Sequence, residues 1–136
     1  MTKVRIPLFP TSVRWILAFG LAAVIFYLSV LTAPPAQPVA PKPDPLPLDK
    51  WRHFLAYGAL ANALAYATAD WDRPSWQLMG LIIGATILYG VGIEAAQALV
   101  PYRYFSVLDA YANALGALFA IPWFLIRSRI EMVDLF

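Results

Sequence analysis

Four apolar runs constrain this chain more than any other feature in it. The first, WILAFGLAAVIFYLSVLTA (Trp15–Ala33), carries no charge over a length that spans a bilayer, whose hydrocarbon core takes about 20 helical residues. The second, His53–Ala69, is shorter and holds one histidine and one asparagine. The third, Trp76–Val100, has Glu94 near its end, and the fourth, Leu108–Ile126, has Asp109 at its start. Only 13% of the residues are charged and 61% are hydrophobic, where a soluble domain is about a quarter charged. We therefore read a single-domain, all-α integral membrane protein with four transmembrane helices, at about 15–33, 53–69, 76–100 and 108–126.

Small residues at Gly80, Gly84, Ala85 and Gly92 suggest close helix contacts along the third run. Pro122 should kink the fourth, because proline lacks a donor and crowds the preceding turn. Trp15, Trp51, Trp76 and Trp123 fall near the ends, where interfacial aromatics gather. The first run follows Lys3, Arg5 and Arg14 like a signal peptide, but it is long for the apolar stretch of one, and a proline follows the small-residue site. A retained anchor is expected.

The segment 34–48 is rich in proline, with seven prolines between Pro34 and Pro47. Extended as polyproline II it reaches about 40 Å, far more than adjacent helices need. The first helix is thus free to pack away from the second, or to stand apart from the other three. Basic residues set the orientation. Six lie on the side of the termini (Lys3, Arg5, Arg14, Arg73, Arg127, Arg129) and four on the other (Lys42, Lys50, Arg52, Arg103), which places both termini in the cytoplasm and the Pro-rich loop outside. A net charge of only +2 gives no argument for a nucleic-acid partner. With no cysteine, thiolate chemistry and Cys-based metal sites are excluded.

In this topology polar groups from three helices meet at one membrane level. Asp49, His53 and Tyr57 are spaced by four, as are Asp109 and Asn113, and Glu94 and Gln97 by three, so each set shares a helix face. Ionisable side chains in a bilayer turn away from lipid and pair inside the bundle. His53 and Glu94 are candidate acid–base groups. Asp49, Lys50, Tyr57, Gln97, Arg103, Asp109 and Asn113 are candidate ligand-binding residues. Each also has a structural reading. Glu94 can lock three helices by pairing with Arg103, His53 or Lys50, and Arg103 can hold a lipid phosphate or snorkel to the interface. Asp49 and Asp109 can cap their helices. Ser106 has no base near it in sequence, so no nucleophile is assigned. A metal would use His53 with Asp49, Glu94 and Asp109, but one histidine is a weak signal and no metal is assigned.

Two blocks, DKWRHFLAYG (Asp49–Gly58) and EAAQALVPYRYFSVLDAYANALG (Glu94–Gly116), resemble the VanZ-like membrane proteins. The shared pattern is Asp-Lys-x-x-His-Phe with a following Tyr, Glu-x-x-Gln, Pro-x-Arg, and Asp-x-x-x-Asn-x-x-Gly. It falls here on Asp49, Lys50, His53, Phe54, Tyr57, Glu94, Gln97, Pro101, Arg103, Asp109, Asn113 and Gly116. The resemblance implies a small multi-pass envelope protein, the name-giving member being associated with low-level teicoplanin resistance. The cofactor is left unknown. Three readings follow: a cell-envelope factor of the cell membrane that binds a membrane lipid, a lipid-linked ligand or a surface ligand at an outward polar pocket, an enzyme acting on a lipid head group by acid–base chemistry, and a structural or assembly subunit of a larger membrane complex.

Overall fold

The computed structural model describes residues 2–34 and 48–136. Strand β1 (Val4–Leu8) leads into α1 (Thr11–Phe26), which continues as a π-helical turn over Tyr27–Leu31. Helices α2 (Leu48–Ala67), α3 (Ser75–Gln97) and α4 (Val107–Ala117) follow. A 3₁₀ turn at Leu118–Ala120, α5 (Ile121–Ile126), a second 3₁₀ turn at Arg127–Arg129 and strand β2 (Ile130–Asp134) complete the described chain. Most of the Pro-rich segment, 35–47, lies outside the described residues, and with it the expectation of an extended spacer.

Among the described residues three segments are long and apolar enough to cross a membrane: Thr11–Leu31, Ser75–Gln97 and Val107–Arg129. Helix α2 occupies the second predicted span but is not one of the three. It begins earlier than expected, and its opening turns carry Asp49, Lys50, Arg52 and His53. The exterior is apolar, with Ile16, Phe19, Leu88 and Leu125 all exposed, while Arg14, Thr86, Glu94, Gln97 and Asn113 are buried. A bundle that turns large aliphatic side chains outward and closes polar ones in is matched to a hydrocarbon surround rather than to water.

Pro122 breaks the last span as its chemistry requires. The α-helical ladder stops at Ala117, tightens to 3₁₀ over Leu118–Ala120, and resumes in α5 with the proline in the first turn, where no donor is needed. Buried Ala61, Ala65, Leu78, Ile82, Ala117, Ala120 and Phe124 knit α2, α3 and the α4–α5 segment together.

Helix α1 does not stand apart. Ile25 packs with Tyr57 and Leu60 of α2, and the Tyr89 hydroxyl of α3 donates to the Ala22 carbonyl at 2.5 Å. The long connection permitted separation, but the carbonyls at the C-terminal end of α1 need donors, and α3 with its following loop supplies them. Gln97 donates to the Ser29 carbonyl (2.9 Å), Tyr102 to Val30 (2.9 Å), and Arg103 to Leu28 and Thr32 (3.2 and 3.0 Å).

The small residues of α3 are a second correction. A Cβ added at Gly80, Gly84 or Gly92 would meet nothing within 4 Å, so these glycines make no close helix contact among the described residues. Gly90 makes it instead: a Cβ there would fall 3.0 Å from Tyr57 and 3.1 Å from Asn113. Helices α2 and α4 approach through Gly58 and Gly116. A Cβ on Gly116 would strike the Phe54 carbonyl oxygen and lie 3.1 Å from the Gly58 nitrogen.

The ends of the described chain meet in a feature the apolar pattern concealed. β1 and β2 pair in parallel, with Val4 opposite Ile130 and Leu8 opposite Asp134, so the whole bundle is the crossover between them. The same end is fastened by Arg14, whose guanidinium donates to the Phe9, Tyr66 and Ala67 carbonyls, to Thr11 Oγ1 and to both Asp70 oxygens. Arg127 likewise holds the carbonyls of Ala69, Trp71 and Arg73.

Candidate functional site

The opposite end of the bundle is where α2 and α4 begin and α3 finishes, and most of the predicted polar residues converge there. Spacing by one helical turn puts Asp49, His53 and Tyr57 on the α2 face toward α4, and Asp109 and Asn113 on the answering face of α4. The glycine contact at Gly58 and Gly116 brings these two faces close enough for direct side-chain bonds.

Each group is held by one atom. The Lys50 ammonium donates to Asp49 Oδ2 at 2.8 Å and also to Asp109 Oδ1. His53 Nδ1 lies 2.8 Å from Asn113 Oδ1, an oxygen that only accepts. Nδ1 therefore carries the proton and Nε2 keeps its lone pair in the neutral ring. That ring is 3.7 Å from Asp109 Oδ2 through Nε2 and 4.0 Å from Glu94 Oε1 through Nδ1. Glu94 arrives from the last turns of α3, and the Ser106 amide donates to its Oε2 at 3.2 Å. Its Oε1 is buried with no partner at full hydrogen-bond geometry, as are Tyr57 Oη and Asn113 Nδ2, and the Asn113 amide is close enough to act on the carboxylate. Exposure falls steadily inward, from 46% for the Asp49 side chain through 22% for Lys50 and about 15% for His53 and Asp109 to none for Glu94.

Two of the predicted site residues are elsewhere. The Arg103 and Gln97 side chains point to the end of α1 and serve as caps there, so Arg103 does not make the pairing with Glu94 that the sequence allowed. The physical reason is local. A helix end with free carbonyls lies beside the loop that carries Arg103, and a guanidinium satisfies two such carbonyls at once. Tyr57 is brought to the cluster, with its ring packed on α3 at Gly90 and its hydroxyl left unpaired.

Ser106 is the residue that sequence reasoning set aside. Its hydroxyl caps α4 by accepting from the Asp109 amide at 3.2 Å, and its own amide anchors Glu94. The signal was the Ser-Val-Leu-Asp stretch opening the fourth apolar run, a serine–x–x–acid start. Because Ser106 takes the capping role expected of Asp109, the Asp109 carboxylate is free to face Lys50 and His53. Of the metal-ligating residues named from the sequence, His53, Glu94 and Asp109 are brought together, each with a ligand atom within 4.8 Å of the others. Asp49 is held to the outside by Lys50.

Apolar helices around a buried polar cluster define the class as a mostly helical protein with three segments long and apolar enough, among the described residues, to cross a membrane. Within that class, the VanZ/LLP1 family model matches residues 6–128, and the chain belongs to this family. No curated protein and no solved structure matches it. The matched region contains helices α1 to α5 and every residue of the polar cluster.

Proposed function

We propose that this protein is a multi-pass cell-membrane factor that binds a lipid or lipid-linked ligand at the polar end of its bundle. One observation carries the reading: Glu94, with no exposed surface, keeps an unpartnered carboxylate oxygen beneath polar side chains whose exposure rises outward to Lys50 and Asp49. A lock that served the fold alone would gain by satisfying that oxygen, since an unmet buried acceptor costs about 1–3 kcal/mol. The four-span topology belongs to the same proposal, with α2 crossing as the least apolar span and the basic bias putting the polar end on the outer face of the cell envelope. There a head group would meet Asp49 and Lys50 first, and a hydroxyl or amine on the ligand would supply the donor that Glu94 lacks. The link to glycopeptide resistance in the family's name-giving member is compatible with such a ligand.

The test uses protein purified in mild detergent, with retained lipids identified by mass spectrometry from wild type and from folded Glu94→Gln. The substitution keeps the shape and removes the charge. We expect wild type to enrich a particular lipid class, and Glu94→Gln to retain it about tenfold less, equivalent to about 1.4 kcal/mol. Identical lipid profiles would contradict the proposal.

A second reading is favoured by the His53 geometry. With Nδ1 fixed on Asn113 and Nε2 turned to the Asp109 side, the imidazole is arranged as an acid–base group for chemistry on a lipid head group. This enzyme reading uses the same site and predicts turnover of the retained lipid that His53→Gln abolishes.

A further inference from the structure

We infer that His53, Glu94 and Asp109 form a binding site for a divalent cation of the zinc–manganese kind. The inference rests on the polar end of the bundle being the binding site, and it names an occupant for the innermost part. Its basis is a pattern of half-used side chains. Asp109 gives Oδ1 to Lys50 and leaves Oδ2 facing the histidine. Glu94 gives Oε2 to the Ser106 amide and leaves Oε1 without a partner in a fully buried position. His53 gives Nδ1 to Asn113 and leaves Nε2 with a lone pair. Metal-binding histidines are held in this way, one ring nitrogen bonded to an oxygen acceptor so that the other points at the ion.

The dimensions suit an ion rather than a direct contact. His53 Nε2 and Asp109 Oδ2 are 3.7 Å apart, too far for a hydrogen bond. Two ligands bound at about 2.0–2.2 Å in a tetrahedral arrangement are separated by about 3.4 Å. Each of the three residues has a ligand atom within 4.8 Å of the others, and because Glu94 Oε1 stands 4.0 Å from the Nδ1 side of the ring, joining an ion at Nε2 requires rotation of the Glu94 side chain. Charge points the same way. Within the hydrogen-bonded cluster Asp49, Glu94 and Asp109 face the single ammonium of Lys50, the guanidiniums of Arg52 and Arg103 at this end lying outside it, and a doubly charged cation neutralises that local excess. One imidazole with two carboxylates is a donor set suited to zinc and to manganese, whereas calcium takes six to eight oxygens, more than these side chains present. Three protein ligands leave a tetrahedral ion one position for a head-group oxygen.

The test uses the full chain in detergent, stripped with EDTA and then titrated separately with ZnCl2, MnCl2 and CaCl2. Bound metal is counted by plasma mass spectrometry, and the melting temperature is followed alongside. We expect saturable uptake of about one zinc or manganese per chain, a rise in melting temperature, and no displacement by a tenfold excess of calcium. His53→Gln and Asp109→Asn should abolish uptake, Asn113→Ala should weaken it about 10–100-fold, and Arg5→Ala at the other end should leave it intact. Absence of saturable zinc and manganese uptake by folded wild type would overturn the inference whatever the variants do, and so would undiminished uptake by folded Asp109→Asn. Lipid retention without metal uptake would reject the cation alone. Metal uptake without selective lipid retention would reject the lipid proposal alone.

Discussion

Gly116→Ala is expected to cost about 3 kcal/mol of stability and to dismantle the polar site with it. The new Cβ would collide with the Phe54 carbonyl oxygen and press within 3.1 Å of the Gly58 nitrogen. All of these are main-chain atoms, so no rotamer change relieves the clash, and the cost lies at or above the upper end of the usual 1–3 kcal/mol for overpacking. The relief available is to move α4 away from α2. That separates Asn113 from His53 and Asp109 from Lys50, contacts made directly across the same seam. Gly80→Ala and Gly84→Ala provide the comparison. Nothing lies within 4 Å of an added Cβ at either position, and alanine favours the helix by about 1 kcal/mol, so stability should stay level or rise. Thermal melting of the three variants in one detergent checks the ordering. Equal melting temperatures for Gly116→Ala and Gly80→Ala would show that α2 and α4 do not meet as described.

Arg14→Ala should be the next largest loss, about 3 kcal/mol, at the opposite end of the bundle. The guanidinium is 2% exposed and serves three carbonyls, one hydroxyl and a carboxylate. Its removal leaves buried acceptors unmet. Arg14→Lys should recover only part, because an ammonium lacks the planar fork that spans both Asp70 oxygens. The pair also predicts a pH dependence. The hydrogen bonds from Arg14, opposed by partial burial, hold the Asp70 carboxyl below the usual carboxylate range. A depressed folded pKa contributes stability that is complete above the unfolded carboxylate value and disappears as pH falls through the folded one. The melting temperature of wild type should therefore fall over that acidic window more steeply than that of Asp70→Asn. Because the Asp70 side chain is 39% exposed, solvent screening keeps this pH effect small beside the loss from Arg14→Ala.

The parts of this molecule that were legible in its sequence share one physical cause. A charge or amide inside an apolar run has to face inward, so Glu94, Asp109, Asn113 and His53 announced both their depth and their direction, and helical spacing announced their shared faces. Pro122 was equally readable, because its effect on a helix is local. Rotation about the helix axis was not readable for α3. Its sides are apolar nearly all round, so nothing in the pattern distinguished Gly90, which packs, from Gly80 and Gly84, which do not. The fate of Arg103 and Gln97 was hidden because their partners are backbone carbonyls, and those have no side-chain signature. The β1–β2 pair was hidden by sequence distance, although the short apolar–polar alternations Val4-Arg5-Ile6 and Ile130-Glu131-Met132 are the mark of a strand.

The central claim is that the buried end of the polar cluster is kept unsatisfied for a ligand rather than built as a lock. The most direct measurement is the melting temperature of ligand-stripped Glu94→Gln against stripped wild type at neutral pH in the same detergent. A site held ready at the expense of stability predicts an equal or higher melting temperature for the glutamine variant, because a neutral amide removes the cost of a buried, partly unpaired carboxylate. A fall of several degrees would show that the Glu94 charge holds the three helices together, and the binding-site account would then be wrong.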